Sequence, residues 1–233
     1  MNILITGGTS GVGRCVVECL TKEGHAVAFV GRNEDRGREV AQSTGATFIA
    51  ADITSATECE RVTEVFFAHF DQCDVLINNA GLWTQGNLID APVKEIEDVL
   101  AINTLSPIIL TKYFLEHIEK AVDSKAQGSA RIIFVNSLAG LNAKAQRSVY
   151  FASKWAITGF ARSLSIELGP KNIAVTNVCP GYINTELFEH GGYPRDASDA
   201  MDPHAVADAI AYILSLPSEV QIGEITIKPT KYN

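Results

Sequence analysis

The stretch Asn2-Ile3-Leu4-Ile5-Thr6-Gly7-Gly8-Thr9-Ser10-Gly11-Val12-Gly13 decides the fold. The run from Asn2 to Ile5 reads as a short strand, and its consecutive apolar residues suit a strand covered on both faces. Glycines then let the chain turn tightly and let the backbone approach a ligand with no Cβ in the way. A helical pattern over 12–23 follows at once. The unpaired N–H groups and partial positive charge at its start suit a pyrophosphate. Strand, glycine turn and helix in this order are the context in which such a turn binds a dinucleotide.

Further strands are expected at 26–30, 47–50, 75–77, 131–135, 174–178 and 224–227. Helical patterns lie between them at 33–43, 56–70, 94–121, 148–168 and 204–215. Ile132-Ile133-Phe134-Val135 is apolar on both faces, as a buried parallel strand must be. Alternating strands and helices joined by right-handed crossovers give an α/β fold, a doubly wound parallel sheet of about seven strands with helices on both faces. With no repeat, low-complexity segment or linker, residues 1–233 are expected to form a single domain. Ligands of such sheets bind beyond the carboxyl ends of the strands, where strand order reverses.

The bulk numbers agree with this and exclude other classes. The chain has 233 residues, 46% hydrophobic and 20% charged, which is a soluble globular composition. A net charge of −8, from 19 basic and 27 acidic residues, argues against nucleic acid or an anionic membrane surface as partner. The five cysteines at 15, 19, 59, 73 and 179 fit no metal spacing and read as packed, reduced thiols. Neither they nor the histidines at 25, 69, 117, 190 and 204 form a ligand set, so no metal is expected. Without a signal peptide or a spanning apolar stretch, the expected location is cytoplasmic.

The residues after each strand carry the chemistry. The second strand ends in Val30-Gly31-Arg32-Asn33, with Gly31 where a fold preferring NAD usually places an acid for the ribose 2′-hydroxyl. A guanidinium at Arg32 can instead pair with a 2′-phosphate, which favours NADP(H) over NAD. Arg36 and Arg38 either assist or are solvated helix residues. Asp52, followed by Ile53, either meets an adenine amino group or caps a turn.

Tyr150-Phe151-Ala152-Ser153-Lys154 places a phenol and an ammonium four apart on one helix face. The ammonium is expected to lower the phenol's pKa from about 10, so that it can exchange a proton near neutrality. Ser137 follows the fifth strand, thirteen residues before Tyr150, and can orient a carbonyl. Asn78-Asn79-Ala80-Gly81 follows the fourth strand. Asn103 sits inside a long helical pattern, where asparagine is a poor helix former. Pro180-Gly181 and Thr185 follow the sixth strand, with Ile183 between them.

These motifs resemble the short-chain dehydrogenase/reductase family over essentially the whole chain. TGxxxGxG is matched by Thr6 through Gly13, NNAG by Asn78 through Gly81, the active-site serine by Ser137 and YxxxK by Tyr150 and Lys154. Pro180, Gly181 and Thr185 match the later PG motif. The resemblance implies a Rossmann-type fold and hydride transfer between a nicotinamide cofactor and a carbonyl or secondary alcohol. It implies a catalytic set of Asn103, Ser137, Tyr150 and Lys154. Tyr150 is then the proton donor, Lys154 its modulator and a ribose ligand, Ser137 the holder of the substrate oxygen, and Asn103 the holder of a relay water. The implied cofactor contacts are Gly7, Thr9, Ser10, Gly11, Val12, Gly13, Arg32, Asn33, Asp52, Ile53, Asn79, Ala80, Gly81, Tyr150, Lys154, Pro180, Gly181, Ile183 and Thr185.

Departures from the family pattern are Ser10, where NADP-preferring relatives often carry a base, a short lid over about 182–203, and the ending Lys228-Pro229-Thr230. Leu82, Trp83, Gln85, Leu138, Leu141 and Asn142 either line the substrate pocket or pack as ordinary loops. His190 is the histidine that the lid can bring to substrate. The broadly apolar helix over 148–168 implies a homodimer or homotetramer. The competing reading is a non-catalytic NADP(H)-binding sensor or scaffold, which the intact catalytic set disfavours.

Overall fold

Strands with apolar side chains on both faces need two covering layers, and the chain supplies them. The structure is a computed structural model that describes residues 1–123, 129–190 and 198–231. The lid residues Gly191, Gly192 and Pro194 and the side chain of His190 lie outside the described residues. Strands β1 (Asn2–Thr6), β2 (Ala26–Gly31), β3 (Thr47–Ala50), β4 (Val75–Asn78), β5 (Ala130–Val135), β6 (Ile173–Pro180) and β7 (Glu224–Ile227) form one sheet. Its order is β3-β2-β1-β4-β5-β6-β7, with every pairing parallel. The order therefore reverses between β1 and β4, whose register pairs Ile3 with Val75 and Ile5 with Ile77.

Alternate strand residues divide the core. Leu4, Leu76, Ile132 and Phe134 pack under α3 (Ala56–His69), α5 (Ser106–Asp123) and α6 (Ser148–Leu168). Ile3, Ile5, Ile77 and Ile133 pack on the other face under α1 (Gly11–Lys22) and α8 (His204–Ser215), with Val40 of α2 (Glu34–Thr44). The fold class expected from strand periodicity is the one observed. No described helix is long and apolar enough to cross a membrane.

One expected element differs. The helical pattern at 94–121 divides into α4 (Val93–Leu100), a π-helical turn over Ala101–Leu105, and α5. Pro107 has no N–H to give to a carbonyl four or five residues back, so the regular ladder cannot run through it. At the end of the turn the Ser106 N–H donates to Ala101 O, and its hydroxyl lies 2.8 Å from Ala101 O and 2.6 Å from Ile53 O. The extra residue in the turn leaves Asn103 pointing inward, 2% exposed.

The far edge of the sheet is held by a buried cation. Arg131 of β5 donates to the carbonyls of Leu216, Pro217 and Val220 at 2.9, 2.9 and 3.1 Å. This ties the α8–β7 connection to the sheet. β7 in turn holds the turn after β6, where Gly181 N donates to Ile227 O at 2.7 Å. Replacing Arg131 by Met leaves these carbonyls without donors in a desolvated place. It should cost about 2 kcal/mol in urea denaturation, and unchanged stability would mean that water replaces the guanidinium.

Candidate active site

The glycine turn after β1 is built against the turn after β4. The Thr6 hydroxyl accepts from the N–H groups of Asn79 and Ala80, each at 3.0 Å. Asn79 Nδ2 returns bonds to the carbonyls of Thr6 and Gly7 at 3.0 and 3.3 Å. A Cβ at Gly13 would stand 2.1 Å from Gly7 O, so helix and turn can approach this closely only with glycine there. The result is a fixed concave surface at the point where strand order reverses.

That surface is one wall of a cavity of about 460 Å³. Gly7, Thr9, Ser10, Gly11, Val12 and Gly13 line it from the turn, and Arg32, Asn33, Asp52 and Ile53 from the ends of β2 and β3. Asn79, Ala80 and Gly81 line it after β4, and Pro180, Gly181, Ile183 and Thr185 after β6. Ser137, Tyr150 and Lys154 close its other end, with Leu82 and Trp83. Gln85, Leu138, Leu141 and Asn142, weighed as pocket walls, are not among its lining residues.

The end at β2 is charged and open, with Arg32 and Arg36 facing Asp52 and Glu186. A side chain at Gly31 would strike Thr9 Cγ2 at 2.4 Å, so no acid for a ribose hydroxyl fits there. Arg32 is exposed and its Nη1 stands 4.0 Å from Asp52 Oδ2. Asp52 Oδ1 is used in its own turn, accepting from Thr54 N at 3.1 Å and Thr54 Oγ1 at 2.8 Å. Asp52 thus caps its own turn, and it also lines the cavity. Arg36 lines the cavity and is paired with Glu186, whereas Arg38 pairs with Glu34 and Asp35 on the exposed face of α2.

The inner end is buried. Tyr150 and Lys154 lie one turn apart on α6, 4% and 6% exposed. Asn136 anchors their helix to β5, with Nδ2 donating to Lys154 O at 3.2 Å and Thr158 Oγ1 at 2.9 Å. Ser137 lies beside the Tyr150 hydroxyl and favours its ionised form. The Trp83 ring covers the phenol at 4.4 Å between centroids, with Phe188 against Trp83 at 4.8 Å and the Arg147 guanidinium over it at 5.3 Å.

Burial reverses one expectation about this pair. Desolvation pushes the Tyr150 phenol up to about 12, partly offset by Ser137. It brings the Lys154 ammonium down to about 8, and the two groups stand 5.8 Å apart from Nζ to ring centroid. The net shift of the phenol is therefore upward, the opposite of the expected direction, with loss of water as its main cause.

The Asn103 side chain is fixed by the protein around it. Its Oδ1 accepts from Leu82 N at 2.8 Å, and its Nδ2 donates to Leu82 O at 2.9 Å and Ser153 Oγ at 3.0 Å. The side chain is committed to protein partners. Oδ1 lies close to Gly81, where an added Cβ would stand 3.1 Å from Oδ1 and 3.7 Å from Lys154 Nζ. Reading by motif overlooked Asn136, Ser153 and Thr6. Asn136 and Ser153 adjoin motif residues and Thr6 opens the TGxxxGxG motif, but their partners lie 22, 50 and 73 positions away.

The buried lysine makes stability depend on pH. Lys154 titrates near 8 when folded and near 10.5 when unfolded, so between these values the unfolded chain binds more protons and stability rises with pH. The thiols of Cys15 and Cys59, raised by burial to about 11, act in the opposite direction above about 9. Comparison with Lys154→Met isolates the lysine. In urea denaturation the variant should gain on the native chain below pH 8, by at most about 3 kcal/mol, and the gain should shrink towards pH 10.5. A gap that does not change with pH would contradict a desolvated ammonium.

Comparison with known proteins follows the same geometry. The short chain dehydrogenase model matches residues 1–192. An uncharacterized oxidoreductase of Staphylococcus saprophyticus is 30% identical over 232 residues, covering 97% of this chain and 96% of the relative. Another, of Thermotoga maritima, is 33% identical over 189 residues, covering 79% and 72%. Among solved structures, the closed form of a serine dehydrogenase complexed with NADP+ superposes with a TM-score of 0.91 at 25% identity, covering 100% of this chain and 96% of that one. With the glycine turn, the serine, the tyrosine and the lysine assembled at one cavity, the chain belongs to the short-chain dehydrogenase family.

Proposed function

We propose that this chain is an NADP(H)-dependent carbonyl reductase or secondary-alcohol dehydrogenase in which Tyr150 is the general acid and base. The observation that carries the reading is the contact of the Tyr150 and Ser137 hydroxyls at the buried end of a cavity whose other end is a glycine turn. The residues present fit a dinucleotide, since the close approach at Gly13 leaves backbone N–H groups at the start of α1 facing the cavity. The serine dehydrogenase relative, complexed with NADP+, supports the same choice.

A bound nicotinamide supplies or accepts a hydride at C4. Ser137 holds the substrate oxygen by its hydroxyl, and Tyr150 delivers or removes the proton on that oxygen. A phenol near 12 is a ready donor to a developing alkoxide and a poor base on its own. For oxidation it needs the positive charge of Lys154 restored beside it, which bound ribose hydroxyls accepting from the ammonium would favour. Behind Lys154 and Asn103 lies a second void of about 10 Å³, room for about one water to pass protons on.

Arg32 is the 2′-phosphate ligand in this reading, with Asn33 beside it. Apolar side chains left exposed on α4, the π turn and α6, namely Leu100, Leu105, Trp155 and Ile166, support a homodimer or homotetramer. The cysteines are free thiols, which suits a reducing cytoplasm.

A spectrophotometric screen of NADPH and NADH oxidation against diverse carbonyls tests activity and cofactor choice together. Tyr150→Phe should lower turnover by about 10²- to 10⁴-fold while NADPH still binds with near-native affinity. Retained turnover would remove Tyr150 from the chemistry. Arg32→Ala should raise the NADPH dissociation constant about tenfold and leave that of NADH almost unchanged. Equal effects on the two cofactors would end the case for phosphate recognition.

A further inference from the structure

The mouth of the cavity is bridged by an ion pair between residues 150 positions apart in the chain. Arg36 Nη1 donates to Glu186 Oε2 at 2.6 Å, and Nη2 to Oε1 at 3.4 Å. This is the two-pronged grip that a guanidinium makes on a carboxylate or a phosphate. Arg36 stands on the first turn of α2, its N–H donating to the capping Asn33 Oδ1 at 3.0 Å. Arg32 immediately precedes that cap. Glu186 follows Thr185 on the opposite bank, and Arg32, Asn33, Arg36 and Glu186 all line the same cavity.

The other charges around Arg36 are engaged elsewhere. Glu39 pairs with Arg14, and Glu34 and Asp35 pair with Arg38. The Arg36 and Glu186 side chains are 42% and 47% exposed, so their pairing adds little to stability and is readily exchanged. Arg32 is held no more firmly, at 4.0 Å from Asp52. Two exposed guanidiniums, four positions apart in the chain and on either side of the cap of α2, thus line the same open end of the cavity.

We propose that Arg36 is the second arm of the 2′-phosphate site and that Glu186 is the resident anion which the phosphate displaces from it. The proposal rests on the NADP(H) reading given above. A phosphate monoester carries roughly −1.5 to −2 near neutrality and offers three strong acceptors, so it outcompetes a single carboxylate for the guanidinium. Glu186 then stands beside the phosphate as a like charge. It opposes a 2′-phosphate by charge, whereas a 2′-hydroxyl carries no charge for it to repel, which makes it a determinant of cofactor selectivity. Because Phe188 follows two residues later and packs on Trp83, the exchange also bears on the aromatic wall over Tyr150.

Short probes that reach only the adenosine end test this, with 2′,5′-ADP and 5′-AMP titrated calorimetrically into the full chain. The native chain should bind 2′,5′-ADP more tightly than 5′-AMP. Arg36→Gln should weaken 2′,5′-ADP about tenfold and leave 5′-AMP unaffected. Glu186→Gln should strengthen 2′,5′-ADP about threefold, again without effect on 5′-AMP, and the gain should fall away in the Arg36→Gln background. Glu186→Ala provides the same reading should the glutamine variant fold poorly. Weakened 2′,5′-ADP binding on loss of Glu186 would make the carboxylate a support for Arg36 and overturn the exchange, as would equal changes for both probes. A native chain that does not distinguish the probes removes the NADP(H) reading itself; one that does, with Glu186 variants unchanged, removes the exchange alone.

Discussion

The hydrogen bonds that Thr6 and Asn79 make across the reversal of strand order carry the rest of the site. One hydroxyl accepts two backbone N–H groups of the β4 turn, and one side-chain amide gives two bonds back to carbonyls of the β1 turn. The glycine turn is held on its other side by Gly7 N and Gly8 N, which donate to Val30 O at 2.8 and 3.1 Å, so these bonds add the β4 turn to a loop already fixed on β2. Joined, the two turns form one wall of the cavity. The position of α1, the depth of the cavity and the place of Gly81 beside Asn103 and Lys154 all follow from it.

At the far end of the cavity the governing term is desolvation. Trp83, Phe188 and α6 exclude water from Tyr150 and Lys154, and both groups shift towards their neutral forms. A site in this condition is poised for proton transfer only when the lysine's positive charge is held by added hydrogen-bond acceptors. The open end behaves in the opposite way. Arg32, Arg36, Asp52 and Glu186 are solvent-exposed, so their attractions are weak singly and exchangeable. One cavity therefore joins a desolvated end to a solvent-exposed, charged end.

The sequence by itself determined the sheet and the chemical inventory. Two-sided apolar strands such as Ile132 to Val135 admit few places except a covered parallel sheet, and glycines with Tyr150 and Lys154 at helical spacing are local patterns. What local patterns cannot hold is distance and solvent. The π turn at Ala101–Leu105 depends on how Pro107 and Ser106 share carbonyls with Ile53, which lies 53 residues from Ser106. The direction of the Tyr150 shift depends on burial to which Trp83, 67 positions earlier in the chain, contributes its ring. The same holds for the pairing of Arg36 with Glu186 and for the bracing amides of Asn79 and Asn136, whose partners meet only when the sheet closes. Residue types and spacings name the groups that do chemistry, and only the tertiary structure decides which of them lose water, which find a partner and which remain free to exchange one.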